Sequence, residues 1–210
     1  MLTPTRRWLL GGLVVGGVGA SGYAARRYLW PATPGSTAGP FYPEPDMRLS
    51  EVDADLLRMG AGPPSAGIPL RLTGRLLGQR QPGPIPGALV EIWQVDANGR
   101  YLHPGDARTT PQRDAAFQGY GRARTGTDGS FEFQTIQPVP YPGRTPHIHM
   151  RISTLAGAGL TTQLYLEDHP MNLSDAIYRR MTWAERRRVG LRPISDPTGL
   201  GTTAQVDIVI

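Results

Sequence analysis

His147 and His149 stand one residue apart in HIHMRIS, a stretch that reads as a β-strand. Side chains at i and i+2 of a strand leave the same face about 6 to 7 Å apart, so the two imidazoles can converge on one point. Taken alone, that pair is weak evidence for a metal, and a half-buried strand with two hydrogen-bonded imidazoles is its commoner setting. Two phenols widen the chemistry. Tyr141 precedes His147 by six residues, in a proline-rich bend, PVPYPGRTP, able to fold the chain back beside the histidines. Tyr101 closes a further predicted strand in WQVDANGRYLHP, just after an Asn-Gly turn. Phenolate is a hard anionic oxygen donor suited to a highly charged ion such as ferric iron, and two phenolates offset most of its charge. Because the sequence has no cysteine, any metal must take nitrogen and oxygen ligands. The natural competitor is an Fe(II) or zinc site completed by a carboxylate. Glu167 and Asp168 lie downstream, though neither has the spacing of a His-x-Asp/Glu pair.

Such donors need a rigid frame, and the surrounding pattern predicts a mostly β one. A chain of 210 residues has room for one domain of ordinary size plus a tail and can bury a core without covalent cross-links. Its 27 glycines and 21 prolines call for many turns. Strands are predicted in IPLRLTGRLLG, GALVEIWQVD, GSFEFQTIQP, HIHMRIST, TTQLYLED and TAQVDIVI. Several of them alternate apolar and polar residues, and Asp-Gly or Asn-Gly in the connections supplies the positive φ of tight turns. The expected architecture is a single-domain antiparallel β-sandwich over residues 67–210, with one helical insertion at 172–190 before the last strand. A Pro/Gly-rich N-terminal arm over 26–66 precedes it, with a short helical turn in RLSEVDADLLRMG ended by Gly60.

Ahead of the arm, residues 1–25 have the layout of an export signal: Arg6 and Arg7, an apolar run from Trp8 to Ala20, then small residues. The arginine pair resembles a twin-arginine address read by the export machinery, a route for folded proteins that suits a cofactor loaded inside the cell. Gly22 and Ala24 fit a cleavage site, whereas Arg26 and Arg27 directly after the run fit a retained membrane anchor. Either way the expected location is periplasmic or extracellular. The net charge of +5 comes from arginine alone, since the sequence contains no lysine. Only Arg186, Arg187 and Arg188 cluster, in a predicted helix, where a solvated face is expected and a nucleic-acid partner is not.

Four segments in order, GALVEIWQVDANGRY, GYGRARTGTDGSFEFQTIQPVPYP, RTPHIHMRIS and TTQLYLED, resemble the intradiol ring-cleavage dioxygenases, most closely the protocatechuate 3,4-dioxygenase type, over residues 36–210. The resemblance implies a non-haem Fe(III) cofactor with Tyr101 and Tyr141 as tyrosinate ligands and His147 and His149 as histidine ligands. It also implies that Arg144 neighbours the bound substrate and that Gln163 helps line the site. A catechol would give up its hydroxyl protons on binding and displace Tyr141, whose released phenolate can take up a proton. The guanidinium of Arg144 would stabilise the carbanion-like ring carbon that meets O2. Both oxygen atoms would end in a cis,cis-muconate-type product.

Two departures bear on specificity and assembly. Only the five residues Pro142 to Pro146 separate Tyr141 from His147, where family members carry a longer insertion, and Gly143 stands in place of a bulky aromatic. The long N-terminal helical region of the catechol 1,2-dioxygenase type is absent, and with it that type's dimer interface, so a homo-oligomer of another kind stays open. His103, two residues after Tyr101, is a rival ligand or a pocket edge, and His169 reads as a turn residue. Trp93 reads as core, and Tyr120 and Tyr165 as structural. Tyr42 fits either packing of the arm on the sandwich or the active-site mouth. Two other readings remain at this point: another His-x-His metalloenzyme, and an exported β-sandwich that binds a carbohydrate or partner protein without catalysis.

Overall fold

The computed structural model describes residues 30–46 and 53–210, apart from Ala158 and Leu200. The signal-like segment 1–25 and residues 47–52 of the arm lie outside the described residues. Two sheets pack face to face. The first is built on β1 (Pro69–Gly78), which pairs antiparallel with β5 (Ser130–Ile136) and, near its end, with β2 (Gly83–Pro84). The second sheet has five strands in the order β4-β3-β6-β7-β8: Tyr120–Arg124, Leu89–Trp93, His147–Ser153, Gly159–Leu166 and Gly190–Leu191.

The sandwich is mixed rather than wholly antiparallel. β10 (Thr202–Gln205) and β11 (Ile208–Val209) run parallel to β1, and β8 runs parallel to β7, while β9 (Ile194–Ser195) pairs antiparallel with β10. For β8 the cause is the insertion between β7 and β8: a crossover of that length lets the chain return in the direction of its partner, which a tight hairpin cannot do, whereas β10 and β11 reach β1 from the far end of the chain with no hairpin joining them. That insertion is a 3₁₀ turn (Pro170–Ser174) followed by two short helices, α1 (Ala176–Arg180) and α2 (Trp183–Arg188), not one continuous helix. Four short strands follow it instead of one: β8 and β9 come before the predicted strand 203–210, which is itself interrupted at Val206–Asp207 and becomes β10 and β11.

Period-2 patterning explains the core. Leu70, Leu72 and Leu76 of β1 and Phe131 and Phe133 of β5 turn inward, and meet Val90, Ile92, Ile148, Met150, Ile152 and Leu164 of the second sheet. The residues between them on β3, β6 and β7 therefore point away from the core. In most sandwiches that outer face meets water; here loops and the arm cover part of it. Residues 53–60 form turns and an isolated bridge, Asp55 to Gln134, rather than the expected helical turn.

Candidate metal centre and active site

The site lies on the outer face of the second sheet. Strand register sets His147 beside Tyr165, and His149 between Trp93 on one side and Gln163 on the other. All five share one face, because paired positions in a ladder point the same way. The indole of Trp93 lies flat on the His149 ring, with centroids 4.8 Å apart and planes inclined by 8°. Trp93 is indeed buried, but on this face rather than between the sheets.

Tyr101 is not the end of a strand. β3 stops at Trp93, and the chain enters a loop tied by carboxylates. Asp96 Oδ1 accepts from the N–H groups of Asn98 and Arg100 at 2.9 Å. Asp106 Oδ2 accepts from the Tyr101 N–H at 2.8 Å, and its carboxylate is also bridged by Arg108 at 2.6 and 2.7 Å and by Arg100 at 3.3 Å. Burial would raise the Asp106 pKa, but these donors outweigh it and hold the group well below the usual carboxylate range. Gly99, at φ +74, brings the loop against the next element: a Cβ there would sit 3.1 Å from the Pro140 carbonyl and 3.7 Å from Tyr141 Cβ. Tyr141 arrives from the proline-rich bend, closed by its bridge to Arg144.

The four donors named from sequence come together. His147 Nε2 and His149 Nε2 are 3.2 Å apart, and Tyr101 Oη is 3.1 Å from His149 Nε2. The Tyr141 ring stands 5.4 Å from that of Tyr101 and 5.5 Å from that of His147. Neighbouring ligands about 2.1 Å from one ion stand about 3 Å apart, so the separations among His147, His149 and Tyr101 fit a shared metal, with the Tyr141 ring alongside. Protonation points the same way. His147 Nδ1 donates to the Thr145 carbonyl at 2.7 Å, which leaves Nε2 as a bare lone pair. Burial, then the charge of Arg144, lowers the His147 pKa to about 4, and burial with the charges of His147 and Arg144 holds His149 well below its ordinary value. Both imidazoles are thus neutral at pH 7, as ligation requires. Burial, with Tyr141 alongside, pushes the Tyr101 phenol well above its usual pKa, so a cation is what would bring it to phenolate.

Arg144 and Gln163 complete the arrangement. Arg144 Nη1 donates to Tyr141 Oη at 3.3 Å, Nη2 donates to Gln163 Oε1, and Nε donates to Asp175 Oδ2 at 2.8 Å. Burial opposes both charges of the Arg144–Asp175 pair, yet their hydrogen bond prevails, holding the guanidinium above and the carboxyl below its ordinary pKa. Tyr165 Oη also donates to Gln163 Oε1, at 2.8 Å, so its role is to fix that amide. The arm roofs the cluster. Gln163 Nε2 donates to the Thr37 carbonyl at 2.8 Å, Phe41 lies 4.7 Å from the Tyr101 ring, and Gly39, at φ +68, passes so close that a Cβ would meet His149 Cε1 at 3.4 Å.

Other sequence candidates fall outside the cluster. His103 Nδ1 accepts from the Gly105 N–H and its Nε2 faces Glu44 at 3.5 Å, so it is a pocket edge and not a rival ligand. His169 Nδ1 accepts from the Met171 N–H and caps the 3₁₀ turn, as a turn residue should. Tyr42 Oη and Tyr120 Oη both donate to Glu91 Oε1, and Tyr42 packs edge-on to Trp93. Glu167 is held by Arg192 at 2.7 Å and Asp168 is largely exposed, so neither completes a carboxylate metal site. Among the described residues no group of three or more His, Cys, Asp or Glu is placed to bind a metal, and the phenols are what make the donor set. The sequence reading missed Asp106, Thr145 and Asp175, whose partners are set by loop closure and carry no distinctive spacing.

Residues 37–191 match a family profile described as Dioxygenase. Over 174 residues the chain is 34% identical to the protocatechuate 3,4-dioxygenase beta chain of Burkholderia cepacia, covering 77% of this chain and 73% of that one. The chain belongs to the intradiol ring-cleavage dioxygenases. As a member of that family it is an oxidoreductase, which removes the reading as a binding module without catalysis. It is also 29% identical to catechol 1,2-dioxygenase 1 of Acinetobacter lwoffii, spanning 70% of this chain but only 50% of that relative. Among solved structures it is similar to the dioxygenase domain of a dioxygenase carbohydrate-binding protein fusion from Streptomyces sp. SirexAA-E, at 31% identity and a TM-score of 0.66, covering 86% of this chain and 98% of that domain. An intradiol ring-cleavage dioxygenase from Tetranychus urticae, 23% identical with a TM-score of 0.64, shares the fold.

Proposed function

We propose that the chain opens the ring of a catechol between its two hydroxyl-bearing carbons, using O2, to give a cis,cis-muconate-type product at a ferric ion held by Tyr101, Tyr141, His147 and His149. The observation that carries this reading is the convergence of two phenols and two neutral imidazoles beside a half-buried, anchored guanidinium. Ferric iron, when bound, supplies a Lewis acid that withdraws electron density from a catecholate and makes its ring reactive towards O2.

The chain's own residues supply the remainder. Tyr101 is 3% exposed and fixed through its backbone by Asp106, whereas Tyr141 is half-buried at the mouth. Tyr141 is therefore the phenol free to move and to accept a substrate proton at Oη. Arg144, anchored at Nε and Nη2, presents its charge to the ring carbon that becomes electron-rich, and a preorganised cation there costs no reorganisation during the reaction. Gln163 holds the guanidinium on one side and the arm on the other. Gly39 and Phe41 exclude water from the inner side of the cluster. At the mouth, a Cβ on Gly143 would meet nothing within 4 Å, which supports a catechol with a substituent over the bare ring.

The purified protein loaded with ferric iron is expected to be red-brown, from phenolate-to-iron charge transfer, and to consume O2 when given a panel of catechols in an oxygen electrode. A colourless, inactive protein after loading would sink the reading. Export through the twin-arginine route is part of the proposal; cell fractionation with and without an Arg6→Gln, Arg7→Gln change checks it, and cytoplasmic recovery of both forms counts against it.

A further inference from the structure

Asp175 occupies a place that its role as a helix cap does not explain. It is 1% exposed and uses both carboxylate oxygens fully. Oδ1 accepts from the N–H groups of Ile177 at 2.8 Å and Tyr178 at 3.1 Å, capping α1. Oδ2 turns the other way, accepting from Arg144 Nε at 2.8 Å and from the Thr145 N–H at 3.1 Å. A serine or threonine caps a short helix equally well without the cost of burying a charge. The second oxygen therefore serves the site.

We propose that Asp175 is a positioning residue for ring cleavage, which aims the Arg144 guanidinium at the reacting carbon and ties the α1–α2 insertion to the active site. The proposal rests on the intradiol reading above. Arg144 has three fixed directions: Asp175 on Nε, Gln163 on Nη2 and Tyr141 on Nη1. Gln163 is a neutral amide, and the Tyr141 hydroxyl is the group expected to move. Asp175 is the one charged anchor, and the planar guanidinium pivots about the bond it restrains. The helical insertion thus meets Arg144 through one carboxylate, beside the contacts of Asn172 with Thr145 and of Tyr178 with Tyr165, although none of its side chains is needed as a metal ligand.

The test pairs Asp175→Asn with Arg144→Ala in the iron-loaded protein. In D175N the amide oxygen can still cap α1, but the amide NH2 then faces the Arg144 Nε–H and Thr145 N–H, donor against donor. Turnover should fall about 10²-fold with KM little changed, as expected when a group is misplaced by about 1 Å, while iron content and the charge-transfer band are retained. The double variant should be no slower than R144A alone, since both remove the same interaction. Activity in D175N within about twofold of wild type, loss of the iron band, or full addition of the two lesions would each overturn the proposal. Should D175N not accumulate, D175S, whose hydroxyl caps the helix but cannot reach Arg144, is read by the same criteria. A second readout is independent of catalysis. The apo protein should show a slowly exchanging Arg144 Nε–H resonance, assigned by its absence from Arg144→Lys, that disappears in D175N; its persistence there refutes the positioning role. If no catechol is opened by the wild-type protein, the functional reading fails, and that resonance still decides whether Asp175 fixes Arg144.

Discussion

The two faces of the five-stranded sheet are made from the same strands and serve opposite ends. On β6, Ile148, Met150 and Ile152 enter an apolar core, while His147 and His149 enter a polar cluster between them. The core face is stabilised by area removed from water, which depends little on orientation. Its outer counterpart depends on direction: most buried nitrogens and oxygens there meet a partner at a set distance, supplied by loops remote in sequence, with His149 Nδ1 and Trp93 Nε1 the exceptions. One face can therefore tolerate a change of shape that the other cannot, and substitutions on alternate residues of one strand should separate folding from metal binding.

The largest effect is expected at His149→Ala. Losing an outer partner of a ligand alone costs about 10–100-fold in metal affinity, so loss of a ligand should exceed about 10²-fold and abolish colour and turnover together, with the fold intact by circular dichroism. Iron titration followed by visible absorbance measures it. Met150→Ala, one residue further on the other face, should do the reverse. Thermal or denaturant unfolding should report about 2–5 kcal/mol of lost stability, while turnover per bound iron stays within about twofold. If M150A also loses its iron, the two faces are not independent.

The smallest effect sharpens the comparison through pH. His147 has a folded pKa of about 4 against 6.5 unfolded, so between those values the unfolded chain binds a proton that the folded one does not. Stability of the metal-free protein should hence be fully present above pH 6.5 and fall as pH drops towards 4, by at most about 3 kcal/mol from this group. Bound iron should steepen that loss, because protons and metal compete for the same lone pair. Urea unfolding at a series of pH values gives the slope, and His147→Gln should flatten it.

Legibility from sequence differed between these faces in the same way. The strands of the core were readable because period-2 alternation is local: LRLTGRLLG and FEF carry their own inside and outside. β4 escaped because its core-facing positions in YGRAR hold glycine and alanine rather than large apolar residues. The parallel pairings escaped because pairing partners are chosen across a crossover, beyond the reach of any local pattern. Tyr101 lies in a loop although WQVDANGRY keeps alternating, because Asp96 and Asp106 close that loop by capturing backbone N–H groups.

By itself the sequence determined which atoms are available: two imidazoles on one strand face, two phenols, one arginine between them, and no thiolate to compete. Those are matters of residue type and short spacing, which the chain carries whatever it folds into. The tertiary structure alone decided that the site lies on the outer face and not in the sandwich core, that the arm forms its roof through Gly39 and Phe41, and that Asp175 reaches Arg144 from 31 residues away. Each of these needs loops to close over long separations, and the entropy of that closure is met by contacts that exist only once the whole sheet has formed. The single strand HIHMRIS shows the division: its alternation is written in the chain, but which side becomes core and which becomes catalyst was decided by what packed against it.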